Sequence, residues 1–443
     1  MSQPATFVGP LVDEGRYLIN VPGNWEGTLI LYSQGPPAPA EDPVWSANHP
    51  ALSALLARGY ALAGWTNPVF WPLEHSFPNQ EAVLDEFASL VNRPRRTIAY
   101  GQSIGGFITA GLVQRLSTRL DGALAVCGPL AGGVAIQNRE LDIAFTFKTL
   151  LAPESALDVV RIQRPGENLR LALEILDQAA ATPEGRARLA LTAAVSNIPG
   201  SADPLAPTGE PRAALERQIK WYREIVFLVI FQARAIVERR ARGNFSWNTG
   251  VDYGNLLERS INVTQVRALY AEAGLDLGAD LRRLADAARI DADEDAVAYL
   301  ERHIVYAGEL AVPVVTLHTT GDGLCTPDHE HAYADVVRAA GRAELLRQLW
   351  VRRGGHCDFT IAETLTALDV LNDRIELGSW PASDSATLNL RALELGEDCG
   401  FLVGSQGGRG ATAEPPRFCE FVPWPFSRPY DARSTPERRQ RAG

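Results

Sequence analysis

The sequence predicts an α/β protein: a mostly parallel central sheet flanked by helices, with a long helical segment inserted into it. Three observations carry this. Short apolar runs alternate with helical patterns over roughly residues 7–133 and again over 309–377. Between them, from about Val134 to Gly308, the alternation stops and the periodic stretches are nearly all helical. Finally, Thr97-Ile-Ala-Tyr100 meets Gly101, Ser103, Gly105 and Gly106, after which Ile104, Phe107, Ile108, Gly111 and Leu112 recur at helical spacing. That is a strand, a sharp turn and a helix, with one serine at the apex.

Taken in order, Tyr17–Val21 is a strand ended by Pro22-Gly23-Asn24, and Thr28–Ser33 is an apolar run of the kind buried in a sheet. Ala51–Arg58 is a short helix closed by Gly59, Tyr60–Trp65 a strand, and Glu81–Val91 a helix ended by Pro94. Gly122–Gly128 is the strand after the serine helix. The helical segment reads as Leu169–Ala181, Glu184–Ala194, Ala213–Ala241, Val263–Ala273 and Asp293–His303. Val312–Thr319 and Leu345–Arg352 then resume the sheet, with helices Pro327–Gly341 and Cys357–Leu377. The expected organisation is therefore 1–133 and 309–377 as one core, 134–308 as a helical insertion, and 378–443 as a Gly-, Pro- and Arg-rich tail wrapped on that core.

Composition narrows the function. Of 443 residues, 46% are hydrophobic and 21% charged, as in an ordinary globular protein. A formal net charge of −11 argues against nucleic acid, which demands clustered positive charge. The most apolar run, Ile225–Phe231, is too short to span a bilayer. Met1–Phe7 lacks the basic and apolar regions of a signal peptide, so a cytoplasmic protein with mainly reduced thiols is expected.

The chemistry starts at Ser103. A serine on a strand-to-helix turn directs its hydroxyl away from the sheet, and the flanking glycines remove Cβ atoms that would clash there. The amide of Ile104 then opens a helix, aimed at an oxygen that becomes anionic during acyl transfer. Two later strands each end in a glycine-containing loop with an ionisable residue: Asp322 in Thr320-Gly-Asp-Gly, and His356 in Arg353-Gly-Gly-His-Cys-Asp358. The C-terminal edge of a parallel sheet is where such sites assemble. Asp328 is the rival acid, and His303, His318, His329 and His331 are rival bases. His329 and His331 are expected on the solvated face of a helix, where residues two apart point away from each other, so no metal is expected; no cofactor is expected either.

The order Ser…Asp…His, joined to strand–Gly-x-Ser-x-Gly–helix, resembles the α/β-hydrolase superfamily over about residues 10–133 and 309–377, with 134–308 where that family inserts its cap. The Gly-Gly-His-Cys segment is also similar to tannase and feruloyl esterase enzymes, although Gln102 stands where those carry a cysteine. The resemblance implies an acyl-enzyme on Ser103, with His356 as base and Asp322 orienting it. It also implies a second oxyanion donor near Gln34 and Gly35, but Pro36 occupies the place where an amide commonly donates. The expected reaction is hydrolysis of an ester, thioester or lactone of a hydrophobic small molecule. Acyl transfer or cyclisation, and ligand binding without catalysis, are the alternatives that the Pro36 substitution favours.

Trp65, Phe70 and Trp71, with Phe227, Phe231 and Trp247 of the helical segment, either line a hydrophobic pocket or pack the core. Cys325 and Cys357 either bridge the two site loops or stay free thiols, as do Cys399 and Cys419 beside a glycine-rich loop, with free thiols favoured in a cytoplasm; Cys127 is expected in the core.

Overall fold

The computed structural model describes residues 3–11, 15–35, 50–66, 71, 73–204, 210–403 and 409–431. In chain order its strands are β1 (Ala5–Pro10), β2 (Arg16–Val21), β3 (Thr28–Ser33), β4 (Ala61–Thr66), β5 (Arg96–Gln102), β6 (Gly122–Val126), β7 (Val314–Thr319), β8 (Leu346–Val351), β9 (Phe359–Thr360), β10 (Phe401–Val403), β11 (Arg409–Ala413) and β12 (Phe418–Cys419). Nine of them make one sheet in the order β1-β2-β4-β3-β5-β6-β7-β8-β12. Pairings from β4 through β8 are parallel, and antiparallel partners close both edges. The strands β3, β4, β6 and β7 are buried along their whole length, which is why they read as near-continuous apolar runs.

Two compact units emerge. The first contains residues 1–130, 306–320 and 329–423. In it, Leu52 and Leu55 of helix Pro50–Ala57, and Leu365, Leu368 and Leu371 of helix Ile361–Leu377, pack on Ile30, Leu62, Ile98, Leu124 and Val315 of the sheet. Helices Leu73–Leu90 and Ile104–Arg115 also pack on the strands. Each such leucine contributes about 1.5–3 kcal/mol by leaving water. Helix Ile361–Leu377 starts four residues later than its sequence pattern predicts. Thr360 and Glu363 form a capping box there, satisfying both ends of the first turn. The helix predicted at Glu81–Val91 runs from Leu73, with Pro78 inside it. In the C-terminal part, Ser385–Glu394 is a helix, and β12 pairs antiparallel with β8.

The second unit contains residues 131–305, 321–328 and 424–443. Among the described residues, its main segment of 131–305 holds helices and loops and no strand. The Asp322 loop also clusters here rather than with the sheet. Leu324 packs on the helical core, Arg139 Nη1 donates to its carbonyl at 3.3 Å, and a Cβ on Gly323 would lie 2.4 Å from the Trp221 ring. The helix predicted at 213–241 is interrupted by two π-helical stretches, Tyr222–Val226 and Val229–Ala233. Among the described residues no helix is long and apolar enough to cross a membrane.

Candidate active site

β5 delivers Ser103 into a backbone conformation that L-residues avoid, φ 56° and ψ −123°, at the N-cap of helix Ile104–Arg115. Its strain is held by bonds on both sides: Ser103 N donates to Val126 O at 2.9 Å, and Phe107 N donates to Ser103 O at 3.0 Å. The glycines are a steric necessity. A Cβ on Gly105 would sit 2.0 Å from Ser33 O, and one on Gly106 would sit 2.6 Å from Val126 O. The turn is thereby pressed between the ends of β3 and β6.

His356 Nε2 lies 2.9 Å from Ser103 Oγ, a contact suited to a hydroxyl donating to an unprotonated imidazole nitrogen. Reaching that point takes a long return. His356 follows β8, and the loop must pass back over β7 and β6, ~14 Å at ~4.8 Å per strand. There it meets Cys127, which follows β6, and the two segments are joined by a Cys127–Cys357 disulfide with a Cα–Cα distance of 5.4 Å. This corrects the expectation that Cys357 is a free thiol or is bridged to Cys325, and that Cys127 is only a core residue. One sulfur of the bond, Cys357 Sγ, is 3.5 Å from His356 Nε2. Cys127, His356 and Cys357 thus cluster within 4.8 Å, but sulfurs bonded to each other offer no thiolate to a metal.

The His356 loop has further supports that sequence patterns do not announce. Thr319 Oγ1 donates to Gly355 O at 2.6 Å. Arg353 Nη1 bridges Asp358 O at 3.1 Å and Glu363 Oε2 at 2.6 Å, closing the loop across its base. Glu363 is buried and also accepts from Thr360 N and Arg417 N, so its charge is fully engaged.

Asp322 is buried, and its Oδ1 accepts from Leu324 N at 2.8 Å and Cys325 N at 3.1 Å, an Asx-type turn. Burial, with the nearby Asp322 charge, holds the Cys325 thiol well above its ordinary range. The rival acid Asp328 accepts from Thr326 Oγ1 and, at 3.5 Å, from Asn197 Nδ2, and burial raises its pKa. Of the rival bases, His318 is buried in β7 with Nδ1 2.9 Å from Thr319 O. His331 pairs with Asp335 at 3.1 Å, and His303 stacks edge-on against Tyr299. His329 is fully buried rather than solvated, contrary to expectation, because its helix packs that face inward.

Of the expected oxyanion residues, Ile104 is the first residue of the serine helix. Gly35 abuts the turn: a Cβ there would lie 2.9 Å from Gln102 O and 3.7 Å from Ser103 Cβ. Gln34 is half-buried beside it. Gln80, from helix Leu73–Leu90, fixes the end of β3 by donating to Tyr32 O and Ser33 Oγ at 2.8 and 2.9 Å. Pro36 and Phe70 lie outside the described residues.

The aromatic residues divide. Trp65 is buried at the end of β4, and Trp71, at φ 59°, is buried with its ring 5.2 Å from Phe107. Phe227 and Phe231 pack on each other and on Phe147 inside the helical core, so their area stabilises that core. Trp247 is half-buried and meets Tyr430 edge-on.

No protein-family model matches the chain. Among solved structures, feruloyl esterase B from Aspergillus oryzae is similar at 12% identity and TM-score 0.44, over 94% of this chain and 85% of that one. An acylaminoacyl peptidase is similar at 11% identity and TM-score 0.35, over 80% of this chain, which spans 37% of the peptidase's length. The o-phthalyl amidase of Xanthobacter agilis is 30% identical over 415 residues, covering 86% of this chain and 90% of the amidase. The chain is a hydrolase with a mostly parallel α/β sheet and belongs to the same family as o-phthalyl amidase.

Proposed function

We propose that this hydrolase cleaves an amide bond through an acyl-enzyme on Ser103, with His356 as general base and Asp322 as the acid that orients it. The observation that carries the reading is the 2.9 Å contact of His356 Nε2 with the Oγ of a serine held at positive φ on a helix N-terminus. Asp322 follows β7, whose last residue Thr319 is in register with Val351 at the end of β8. In the first half-reaction Ser103 Oγ attacks the amide carbonyl as His356 takes its proton. The negative charge on the carbonyl oxygen is met by the Ile104 amide and by the Gln34–Gly35 loop. His356 then protonates the departing amine. Water, deprotonated by the same imidazole, releases the acid and frees Ser103.

The amidase relative favours an amide over the ester, thioester or lactone expected from sequence, and points to aromatic acids of the phthalyl type as the acyl group. Such an acyl group is a hydrophobic small molecule with a carboxylate beside the scissile carbonyl. It also favours water as acceptor over the acyl-transfer and cyclisation alternatives.

The test has two arms. A fluorophosphonate is expected to add one adduct per chain, seen by intact mass, and none to Ser103→Ala. Amine release from an N-aryl phthalamic acid is expected to fall at least ~10³-fold in the same variant. Labelling or turnover that survives in Ser103→Ala would remove the nucleophile. An aryl ester cleaved much faster than the phthalamic acid would overturn the amide preference.

A further inference from the structure

We infer that Thr319 is a positioning residue for the base, acting through the main chain of Gly355. The inference rests on the reading of His356 as general base. Thr319 is the last residue of β7 and fully buried, and its hydroxyl donates to Gly355 O at 2.6 Å, one peptide before the imidazole. β7 and β8 are locked side by side at this level, because Thr320 N donates to Val351 O at 3.0 Å. A Cβ on Gly355 would lie 1.7 Å from Asp358 Oδ2 and 2.8 Å from Asp358 Cβ, so a side chain there would displace Asp358. The residue before the base is therefore fixed through its carbonyl, and Thr319 supplies the donor.

Three supports act on this loop from three directions. Arg353 ties its two ends together, the Cys127–Cys357 bond holds the residue after His356, and Thr319 holds the residue before it. Only the last sets the height of the His356 peptide above the sheet without a covalent bond or a buried charge. Catalytic geometry is steep, and a displacement near 1 Å can cost ~100-fold in rate. A missing hydroxyl donor leaves Gly355 O to relax toward another partner, carrying the imidazole away from Ser103.

Thr319→Val removes the hydroxyl while keeping shape and β-branching. The expected result is a kcat for amide hydrolysis lower by ~10- to ~100-fold with KM within ~2-fold. The rate constant for fluorophosphonate labelling is expected to fall in parallel, while end-point labelling stays at one per chain. Counting labelled sites normalises the rates to folded enzyme, so a variant that merely folds poorly is not mistaken for a detuned one. Thr319→Ser restores the donor and is expected to recover kcat to within ~3-fold of the parent. Parent-like kcat per labelled site in Thr319→Val would overturn the inference, as would failure of Thr319→Ser to recover. Loss of the Ser103→Ala phenotype would instead strike the proposed function.

Discussion

The two units bury polar groups in different ways. In the sheet unit, the groups around Ser103 and His356 are fixed largely through the main chain: glycine close approaches, strand register and short bonds such as Thr319 to Gly355. The helical unit buries larger ion networks, where the sheet unit has the Arg353–Glu363 pair under the His356 loop. Arg234 is fully buried, with Nε on Glu238 Oε1 at 2.9 Å, Nη2 on Asn244 Oδ1 at 2.8 Å and its guanidinium over the Phe245 ring. Glu238 in turn accepts from the amides of Arg161 and Ile162. Asp142, also buried, receives Arg428 at 3.0 Å and the Tyr253 hydroxyl at 2.9 Å. Main-chain anchoring suits a site that must hold sub-ångström geometry. Ion networks instead tie loops distant in sequence onto helices, where backbone groups are already taken.

The largest way to break this contrast is to unpair an ion. Arg234→Met leaves Glu238 charged and buried, and the expected loss is about 3–5 kcal/mol in urea denaturation. Adding Glu238→Gln is expected to recover a large part of it, since Gln keeps an acceptor for one of the two amides. If the double variant were no more stable than Arg234→Met, the network would be held by packing rather than by charge.

A smaller effect is expected from the one covalent anchor in the sheet unit. Replacing Cys127 and Cys357 together with Ala removes a bond across 230 residues, with an expected loss of about 2–4 kcal/mol. Activity should fall as well, because Cys357 is adjacent to His356. A double variant with parent kcat would mean that Thr319 and Arg353 hold the loop unaided.

Much of the sheet unit was legible in sequence. β3, β5, β6, β7 and β8 fall where apolar runs meet turn residues, and the glycines around Ser103 mark a close backbone approach. What escaped notice depends on which strands become neighbours. Cys127 pairs with Cys357 because the His356 loop crosses β6, and strand order is not written in residue spacing. β12 has two residues, too few for a period. In the helical unit, helix Gly133–Leu151 gives no amphipathic signal because it is buried on nearly all sides, with Gln137, Asn138, Arg139, Glu140 and Asp142 inside. The partners that make those polar residues tolerable lie tens to hundreds of residues away, as Arg428 does for Asp142.

The finest distinction between the units is electrostatic and can be read from pH. Burial pushes Glu330 of the sheet unit up to about 7, with Thr316 and Gln348 donating to its carboxylate. Burial also pushes Glu140 of the helical unit up to about 7, opposed there by the charges of Arg234 and Arg139. A carboxyl whose folded pKa is raised binds its proton more tightly when folded. Its contribution is fully present below the unfolded value of 4.5 and is lost as pH rises through about 7. The parent is therefore expected to lose about 2 kcal/mol between pH 5 and pH 8 through Glu330 alone, and Glu330→Gln to flatten that part of the curve. Because the donors to Glu330 are neutral, its share should hardly change with added salt. The share of Glu140, isolated by Glu140→Gln, should also change little with salt, because its arginines are buried with it, but it should grow in Arg139→Met, which removes a charge that opposes the raised pKa. A Glu140 share unchanged by Arg139→Met would erase the electrostatic difference between the units.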